Sequence, residues 1–353
     1  MARGGATTRV LRADEIAQII RVRGLDAIFD ELIERLTNAL AVYEASKVLT
    51  PARDGFHYEL PTPGLLEWMP AMEVGRVVAI KTVGYHPANP VERGLPTVLS
   101  STSLYDPATG RLLALLDSTL LTALRTGAAS AVATDILATP GPVVVGLVGC
   151  GAQAVTQLHG IARVRPVERV IVADADAMVA ASFARRTWFV DRPIEIVPPG
   201  QRARLLGAVD VLCTATSVEV GAGPVIEDGE HAAWLHINAI GSDFHGKQEL
   251  PVSLLERSLI CPDLVAQCLV EGESQRACLD RLGPDLATLV QQRARFEAFR
   301  SDLTVFDSTG WALEDMVVAE MMLDHAAGLG LGITIELQRT TSDPRDPYST
   351  LLA

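Results

Sequence analysis

The stretch Val143–Ala154 constrains the fold of this chain more than any other. An apolar run, Val143–Val148, leads into Gly149–Ala154 (GCGAQA), after which apolar side chains recur at helical spacing. In this glycine-x-glycine-x-x-alanine pattern the first glycine permits a tight turn, and the second lets a phosphate approach the backbone. The small last residue lets strand and helix pack closely. The pattern predicts a strand–turn–helix unit that binds a pyrophosphate at the helix N-terminus.

A carboxylate at the end of the next strand supports this interpretation. The strand Val170–Ala173 is followed by Asp174, 25 residues after Gly149. An acid at about this distance binds the ribose hydroxyls of NAD and repels the additional phosphate of NADP, so NAD is preferred as the cofactor. The alternative is that Asp174 or Asp176 only caps the following helix.

Strand-like and helical segments alternate after the linker candidate Pro140–Pro142, with strands expected at 143–149, 170–174, 194–197, 209–213, 234–240 and 259–261. Such alternation predicts an α/β fold with a Rossmann-type, doubly wound parallel sheet. Carboxyl ends of its strands line the ligand crevice, which makes these cofactor-site candidates: Thr214, Thr216, Asn238, Ile240 and Gly241.

The remaining residues predict an α+β domain with an antiparallel or mixed sheet. Helices are expected at 25–43 and 118–138, and strands at 77–83, 95–105 and 111–116. A last strand and turn at 305–310 precede a helix from about Trp311 to Ala327 that returns the chain to this domain. We therefore expect a substrate-binding and dimerisation domain at 1–138 with 320–353, and an NAD-binding domain at 139–319.

Composition excludes several classes of protein. A length of 353 residues with 48% hydrophobic content suits two folded domains, and a net charge of −13 disfavours nucleic acid and anionic membranes as partners. We see no signal peptide and no stretch of about 20 apolar residues. The five cysteines lack C-x-x-C spacing and the seven histidines lack zinc spacing, so we expect reduced thiols, no metal and a cytoplasmic location.

Five segments together resemble the ornithine cyclodeaminase/mu-crystallin family over nearly the full length of the chain. These segments are Lys81–Val83, Leu121–Ser130, Gly149–Ala154, Gly241–Leu250 and Phe306–Gly310. Further segments resemble most closely those members that form pipecolate from lysine for actinobacterial natural products: Leu66–Pro70, Lys81–Tyr85, Pro87–Pro90, Gly151–Gln157, Val305–Gly310 and Asp346–Tyr348.

The resemblance implies a lyase that converts L-lysine to L-pipecolate and ammonia with a tightly bound NAD. A hydride leaves the α-carbon, the distal amine attacks the imine, ammonia departs and the hydride returns, so no NAD is consumed. Alternatives are ornithine as the substrate, a net NAD(P)-dependent amino acid dehydrogenase or ketimine reductase, and a mu-crystallin-like ligand-binding protein. The resemblance also implies a homodimer in which the sheets of the first domains pair.

The resemblance carries roles to individual residues. Arg53 and Lys81 would bind the substrate carboxylate, Lys81 also serving catalysis, and Asp243 would be the general acid and base. Glu67 would bind the distal amine, and Thr309 and Gly310 would border the substrate. The remaining cofactor contacts would come from Thr97, Arg125, Thr126, Gly149, Gly151, Ala152, Gln153, Lys247 and Ser308.

Each of these roles has a structural alternative. Lys81 at a strand end can reach solvent, Arg53 can be a loop arginine, Arg125 can form an ion pair, and Asp243 can cap a helix. Glu67 can equally be a solvated strand carboxylate, and the turn Ser308–Gly310 can simply start the next helix. The chain also departs from the family at Phe244-His245, where cysteine or alanine followed by proline is common. His245 is either a second titrating group or a filler, and the shape of the substrate pocket depends on this segment.

Overall fold

The computed structural model describes residues 7–338, 341 and 343–352. Its contacts divide the chain into two compact units. Unit 1 contains the described residues of Met1–Leu25, Glu44–Thr122 and Asp315–Ala353, and unit 2 contains Asp26–Tyr43 and Ala123–Glu314. This partition differs from our predicted domain boundaries, because residues 26–43 and 123–138 belong to unit 2, whereas we expected them in the first domain.

The described strands follow one another directly over much of unit 1, whereas strands and helices largely alternate in unit 2. The α-helices are α1 Ala13–Arg23, α2 Leu25–Ala41, α3 Asn89–Glu92, α4 Thr119–Leu137, α5 Ala152–Val164, α6 Ala177–Arg186, α7 Val252–Leu255, α8 Val265–Glu271, α9 Leu286–Gln291, α10 Arg293–Phe296 and α11 Ala312–Leu329. The strands are β1 Thr8–Leu11, β2 Val48–Leu49, β3 Asp54–Tyr58, β4 Gly64–Glu73, β5 Val77–Tyr85, β6 Val98–Tyr105, β7 Leu112–Asp117, β8 Val143–Val148, β9 Val167–Ala173, β10 Ile194–Ile196, β11 Val211–Thr214, β12 Leu235–Ala239, β13 Leu259–Pro262, β14 Leu303–Asp307 and β15 Ile333–Ile335. Short 3-10 helices are Pro199–Arg204, Glu273–Arg276, Leu279–Arg281, Glu297–Ser301 and Pro347–Leu352.

Unit 1 is built on an eight-stranded mixed sheet. The strand order is β15-β1-β7-β6-β5-β4-β2, with β3 also paired to β4. The β1–β7 pair is parallel and the other pairs are antiparallel. The predicted hairpin is present, because β6 and β7 pair across Asp106–Gly110. Alternation along β5 buries Lys81 beside Ala79 on the inner face of the sheet.

Unit 2 is built on a seven-stranded sheet, all parallel, in the order β10-β9-β8-β11-β12-β14-β13. Strand β8 shows why helices cover both faces. Val143, Val145 and Leu147 belong to a core with residues of α5 and α6, whereas Val148 belongs to a second core with Leu254 and Leu255 of α7. The direction of winding reverses between β8 and β11, which is the position where doubly wound sheets bind ligands. The predicted Rossmann-type sheet with a second domain is confirmed.

Helix α4 belongs largely to unit 2 because it crosses α5 at a pair of glycines. A Cβ at Gly127 would lie 2.4 Å from the Thr156 carbonyl oxygen, and one at Gly160 would lie 2.4 Å from the Gly127 oxygen. This close crossing explains the glycine after Arg125-Thr126. Helix α4 is long and apolar enough to cross a membrane by length and composition alone, with a mean hydropathy of 1.2 over an 18-residue window. This differs from our expectation that no stretch has that composition. However, 83% of the window is buried inside the protein, which is typical of a core helix.

Candidate active site

The glycine turn after β8 lies where the winding of the sheet reverses. Gly149 has φ +87°, and a Cβ there would lie 2.5 Å from the carbonyl oxygen of Ala215, directly after β11. A larger residue at this position would therefore clash with the neighbouring strand end. Gly151 is the N-cap of α5, and a Cβ there would meet nothing within 4 Å. The turn is thus packed on the side of Gly149 and open at Gly151.

Asp174 lies beside this turn and does not cap a helix. Its Oδ2 accepts a hydrogen bond of 2.6 Å from the Cys150 N–H, and its Oδ1 accepts one of 2.8 Å from the Asp176 N–H. Asp176 is the N-cap of α6, since its side chain accepts from Met178 and Val179. The alternative considered above therefore applies to Asp176 and leaves Asp174 at the glycine turn.

These residues fit a dinucleotide. Helix α5 begins at the turn with no acidic residue in its first turn, so its N–H groups and dipole favour an anion. Gln153 lies in that first turn, and its buried Oε1 has no hydrogen-bond partner within the described residues. A buried polar atom of this kind is normally satisfied by a ligand or water. Open space at Gly151, helix N–H groups and a carboxylate on the second strand are what an adenine dinucleotide requires.

Thr216 and Gly241 follow neighbouring strands and are joined by a buried carboxylate, that of Glu249. Its Oε1 accepts from the Thr216 N–H and hydroxyl, both at 2.7 Å, and its Oε2 accepts from the Gly241 N–H at 2.8 Å. Burial raises the pKa of Glu249, while these bonds and one from Thr214 oppose the shift. The side chain thereby ties the ends of β11 and β12 together.

Three strand-end candidates are buried in the fold. Asn238 is fully buried, and its amide donates to Thr134 Oγ1 of α4 at 3.1 Å and to Cys213 Sγ at 3.8 Å. Its side chain therefore bridges strand and helix, while its buried Oδ1 has no hydrogen-bond partner within the described residues, so its contact with the cofactor stays a prediction. Ile240 is 7% exposed and Thr214 is fully buried.

Asp243 lies in a turn, and the next helix, α7, begins only at Val252. The helix-capping alternative therefore does not apply. Its Oδ1 lies 2.8 Å from Lys247 Nζ, and the Asp243 side chain is 42% exposed while that of Lys247 is only 10% exposed. The arrangement leaves an accessible carboxylate with a fixed cationic neighbour, which suits a group that exchanges protons with a substrate.

Arg125 and the serine-threonine-glycine turn lie together in unit 2. The Arg125 side chain is 7% exposed, and its Nη1 donates to Glu314 Oε2 at 2.8 Å. A Cβ at Gly310 would lie 2.6 Å from both Nη atoms. Ser308 Oγ and the Gly310 N–H donate to Asp263, and Thr309 Oγ1 accepts from Gln267. Thr126 is buried, and its carbonyl accepts from Gln157. The ion-pair alternative for Arg125 is thus present, and the guanidinium also covers the predicted turn.

Unit 1 holds the proposed carboxylate-binding cations in buried positions. Lys81 Nζ lies 2.7 Å from Asp315 Oδ2, with the two side chains 1% and 4% exposed. Lys81 is therefore not a solvent-reaching lysine. Arg53, on the segment before β3, has its Nε 4.0 Å from Glu67 Oε2, with side chains 7% and 10% exposed. His57 Nε2 lies 3.9 Å from the other Glu67 oxygen. Thr97 precedes β6, and its carbonyl accepts from the His86 N–H.

Several buried acids had no predicted role: Glu249, Asp263, Glu273, Asp307, Glu314 and Asp315. The signal for the last two was present, because Glu314-Asp315 interrupts an apolar helix where a carboxylate without a partner would be costly. Glu249 and Asp307 lie within segments that carry the family resemblance, Gly241–Leu250 and Phe306–Gly310, whereas Asp263 and Glu273 lie in no such segment.

Asp307 predicts a pH dependence of stability. Burial raises its pKa from 3.8 to about 7, although Ser274 and the Glu273 N–H donate to it. The folded state therefore holds a proton that the unfolded state has released, and the stability from this group declines as pH rises from about 4 to 7. The decline is on the order of 4 kcal/mol. Asp307→Asn removes this contribution and should make the thermal midpoint fall less steeply between pH 4 and 7; parallel wild-type and variant profiles would contradict this.

A doubly wound sheet with a glycine turn and Asp174 at its switch point defines a dinucleotide-binding protein of the Rossmann class. The model of the ornithine cyclodeaminase/mu-crystallin family matches residues 12–329. The chain is 41% identical to an L-lysine cyclodeaminase of Streptomyces rapamycinicus over 97% of this chain and 99% of that protein. The chain belongs to the ornithine cyclodeaminase/mu-crystallin family.

Solved structures agree with this membership. A lysine cyclodeaminase studied for its recognition of L-lysine, L-ornithine and L-2,4-diaminobutyric acid superposes with a TM-score of 0.93 at 46% identity, covering 97% of this chain and 99% of that one. An archaeal alanine dehydrogenase dimer with bound NAD gives a TM-score of 0.78 at 29% identity, covering 94% and 100%. The resemblance inferred from the sequence is confirmed.

Proposed function

We propose that this protein is an L-lysine cyclodeaminase that forms L-pipecolate and ammonia with a tightly bound, internally recycled NAD. The near-full-length similarity to the Streptomyces enzyme carries this proposal. The accessible Asp243 and the buried Arg53 and Lys81 support it, because the reaction needs a proton-transferring group and fixed cations for an α-carboxylate.

The residues of unit 2 would hold the cofactor. Gly149, Gly151, Ala152 and Gln153 would receive the pyrophosphate, and Asp174 the adenosine ribose. Further contacts in unit 2 would come from Arg125, Thr126, Thr214, Thr216, Asn238, Ile240, Gly241, Lys247 and Ser308, and Thr97 of unit 1 would also serve the cofactor. When bound, NAD supplies a reversible hydride acceptor at the substrate α-carbon.

Arg53 and Lys81 would fix the substrate carboxylate, Arg53 by a planar fork of donors and Lys81 as a compact charge. Glu67, next to Arg53, would accept hydrogen bonds from the distal ammonium, and Thr309 and Gly310 would border the substrate. Asp243 would take the proton that makes an amine nucleophilic and return one to the departing ammonia. Lys247 holds the Asp243 carboxylate by its 2.8 Å contact.

Asp174→Ser should weaken NAD binding roughly 10- to 100-fold, because a charge-assisted hydrogen bond of about 1.5–3 kcal/mol is lost. Binding of NADP should weaken much less, since the repulsion of its 2′-phosphate is also removed. Titration of cofactor-stripped protein measures both. The matched control is Asp176→Ser, which removes a neighbouring carboxylate but keeps a capping oxygen at the start of α6, and it should leave both affinities unchanged. Equal losses for the two cofactors in Asp174→Ser would contradict this assignment.

Purified protein given lysine alone tests the reaction. We expect pipecolate and ammonia in equal amounts, many turnovers per bound NAD and no accumulation of NADH. Ornithine and 2,4-diaminobutyrate are the substrates to compare, since the lysine cyclodeaminase of known structure recognises both. The similarity to alanine dehydrogenase supports a second candidate, a net amino acid dehydrogenase or imine reductase. Turnover that requires stoichiometric added NAD(H) would favour it, and cofactor binding without turnover would favour a ligand-binding protein.

We also propose a homodimer. Phe56, Leu66, Leu99, Leu113 and Leu115 lie on one face of the unit 1 sheet by their register and are 37–64% exposed. The alanine dehydrogenase neighbour is a dimer. Light scattering should give about twice the chain mass of 37.7 kDa; a mass of one chain would contradict this.

The five free cysteines, four of them buried, support the cytoplasm as the location.

A further inference from the structure

The turn that carries Asp243 is held from one side by the 3-10 helix Glu273–Arg276. Gln275 makes the central contacts. Its Oε1 accepts from the Gly246 N–H at 2.9 Å, and its Nε2 donates to the Phe244 carbonyl at 3.3 Å. The same Nε2 donates to the Gly272 carbonyl at 2.8 Å. A single side-chain amide therefore fixes both a donor and an acceptor of the backbone between Asp243 and Lys247.

The 3-10 helix is itself anchored to the sheet. Asp307, the last residue of β14, accepts from the backbone N–H groups of Glu273 and Ser274 at 2.9 and 2.8 Å. Glu273 in turn accepts from the Glu249 N–H at 2.6 Å, at the far end of the Asp243 turn. Gln275 is thus attached to a rigid strand end, and its contacts transmit that rigidity to the turn.

We propose that Gln275 is a positioning residue for Asp243. By fixing the peptide groups at Phe244 and Gly246, it sets the course of the backbone from Asp243 to Lys247. That course allows the Asp243 Oδ1 and the Lys247 Nζ to meet at 2.8 Å. The direction of the Asp243 carboxylate depends on that path, and a misplacement of 1 Å can lower a rate by about 100-fold. This inference rests on the proposed role of Asp243 in the cyclodeaminase reaction.

The burial of Gln275 allows its effect on the position of Asp243 to be tested without unfolding the protein. Its side chain is only half-buried, whereas Glu249, Glu273 and Asp307 are fully enclosed. Removing the Gln275 amide therefore leaves the buried frame intact. The chain also offers a matched control in unit 2: exposed Gln291 donates through Nε2 to the carbonyls of Leu40 and Tyr43 at 3.0 and 2.9 Å.

The test compares Gln275→Leu with Gln291→Leu. For Gln275→Leu we expect kcat for pipecolate to fall roughly 10- to 100-fold. KM for lysine and the content of bound NAD should be retained, and Tm should stay within about 4 °C of the wild type. Gln291→Leu should keep the wild-type kcat. In an Asp243→Asn background, Gln275→Leu should cause no further loss, because residues acting through one group are non-additive; an additive loss would indicate a merely structural role and overturn the proposal.

Amide hydrogen exchange supplies a readout independent of turnover. Peptides covering residues 241–247 should exchange faster in Gln275→Leu than in wild type or Gln291→Leu. Unchanged exchange, or faster exchange with a wild-type kcat, would overturn the positioning role. A wild type that forms no pipecolate would refute the proposed reaction, and the exchange comparison would still decide whether Gln275 holds the turn.

Discussion

Asp243→Asn is expected to lower kcat for pipecolate formation by roughly 10²- to 10⁴-fold, the range typical of general acid–base catalysis. Asparagine keeps the size of the side chain and an acceptor for Lys247, which lies 2.8 Å away, but it cannot take up a proton at neutral pH. The variant should therefore keep its fold and its bound NAD. Steady-state kinetics with lysine, together with the NAD content of the purified protein, measure the effect.

The control is the same substitution at Asp30, which forms a salt bridge with Arg163 at the surface of unit 2. Asp30→Asn should keep the wild-type kcat. An Asp243→Asn variant with normal NAD content and full turnover would remove Asp243 from the chemistry and require another proton-transferring group.

Lys81→Met is expected to lower the free energy of unfolding by about 3–5 kcal/mol as well as to abolish turnover. Lys81 and Asp315 meet at 2.7 Å with side chains 1% and 4% exposed. Replacing the lysine removes the ammonium that lies 2.7 Å from the buried Asp315 carboxylate, and deleting one partner of a buried ion pair is strongly destabilising. Urea denaturation measures the loss of stability.

A second substitution separates stability from catalysis. Lys81→Met with Asp315→Asn removes the buried charge and should recover most of the stability, whereas turnover should stay absent because the substrate carboxylate still lacks its cation. Lys47→Met is the surface control, since its partner Glu44 and Lys47 itself are 55% and 67% exposed, and it should change stability by less than about 1 kcal/mol. Recovery of turnover in the double variant would show that Lys81 does not bind substrate.

The sequence predicted the second unit well because its signals are local. Each buried parallel strand is a short apolar run, and Gly149, Gly151 and Asp174 have conformational or charge requirements that few other residues meet. The unit boundaries were harder to predict, since α4 and α11 each continue through a boundary without a break in their helical pattern. The packing of Gly127 on Thr156, which draws α4 to unit 2, joins residues far apart in sequence.

The contacts of the supporting residues could not be predicted for a related reason. Glu249, Gln275 and Asp315 act through contacts with backbone groups or with a cation on another element, and no spacing in the sequence marks those partners. Asn238 illustrates the same limit, because its position at a strand end predicts a cofactor contact but does not reveal that its amide donates to Thr134 and Cys213. The direction in which a polar side chain points depends on tertiary packing, and the pattern of residue types does not specify that packing.

Turnover of L-lysine carrying deuterium at C2 and ¹⁵N at the α-amine tests the proposed reaction most directly. Internal recycling predicts pipecolate that retains the deuterium at C2 and contains only unlabelled nitrogen, with all of the ¹⁵N released as ammonia, even when unlabelled NADH is added in excess. Mass spectrometry of product and ammonia reads both labels at once. Loss of the deuterium to added cofactor, or ¹⁵N retained in pipecolate, would contradict a cyclodeaminase that oxidises the α-amine and returns the same hydride.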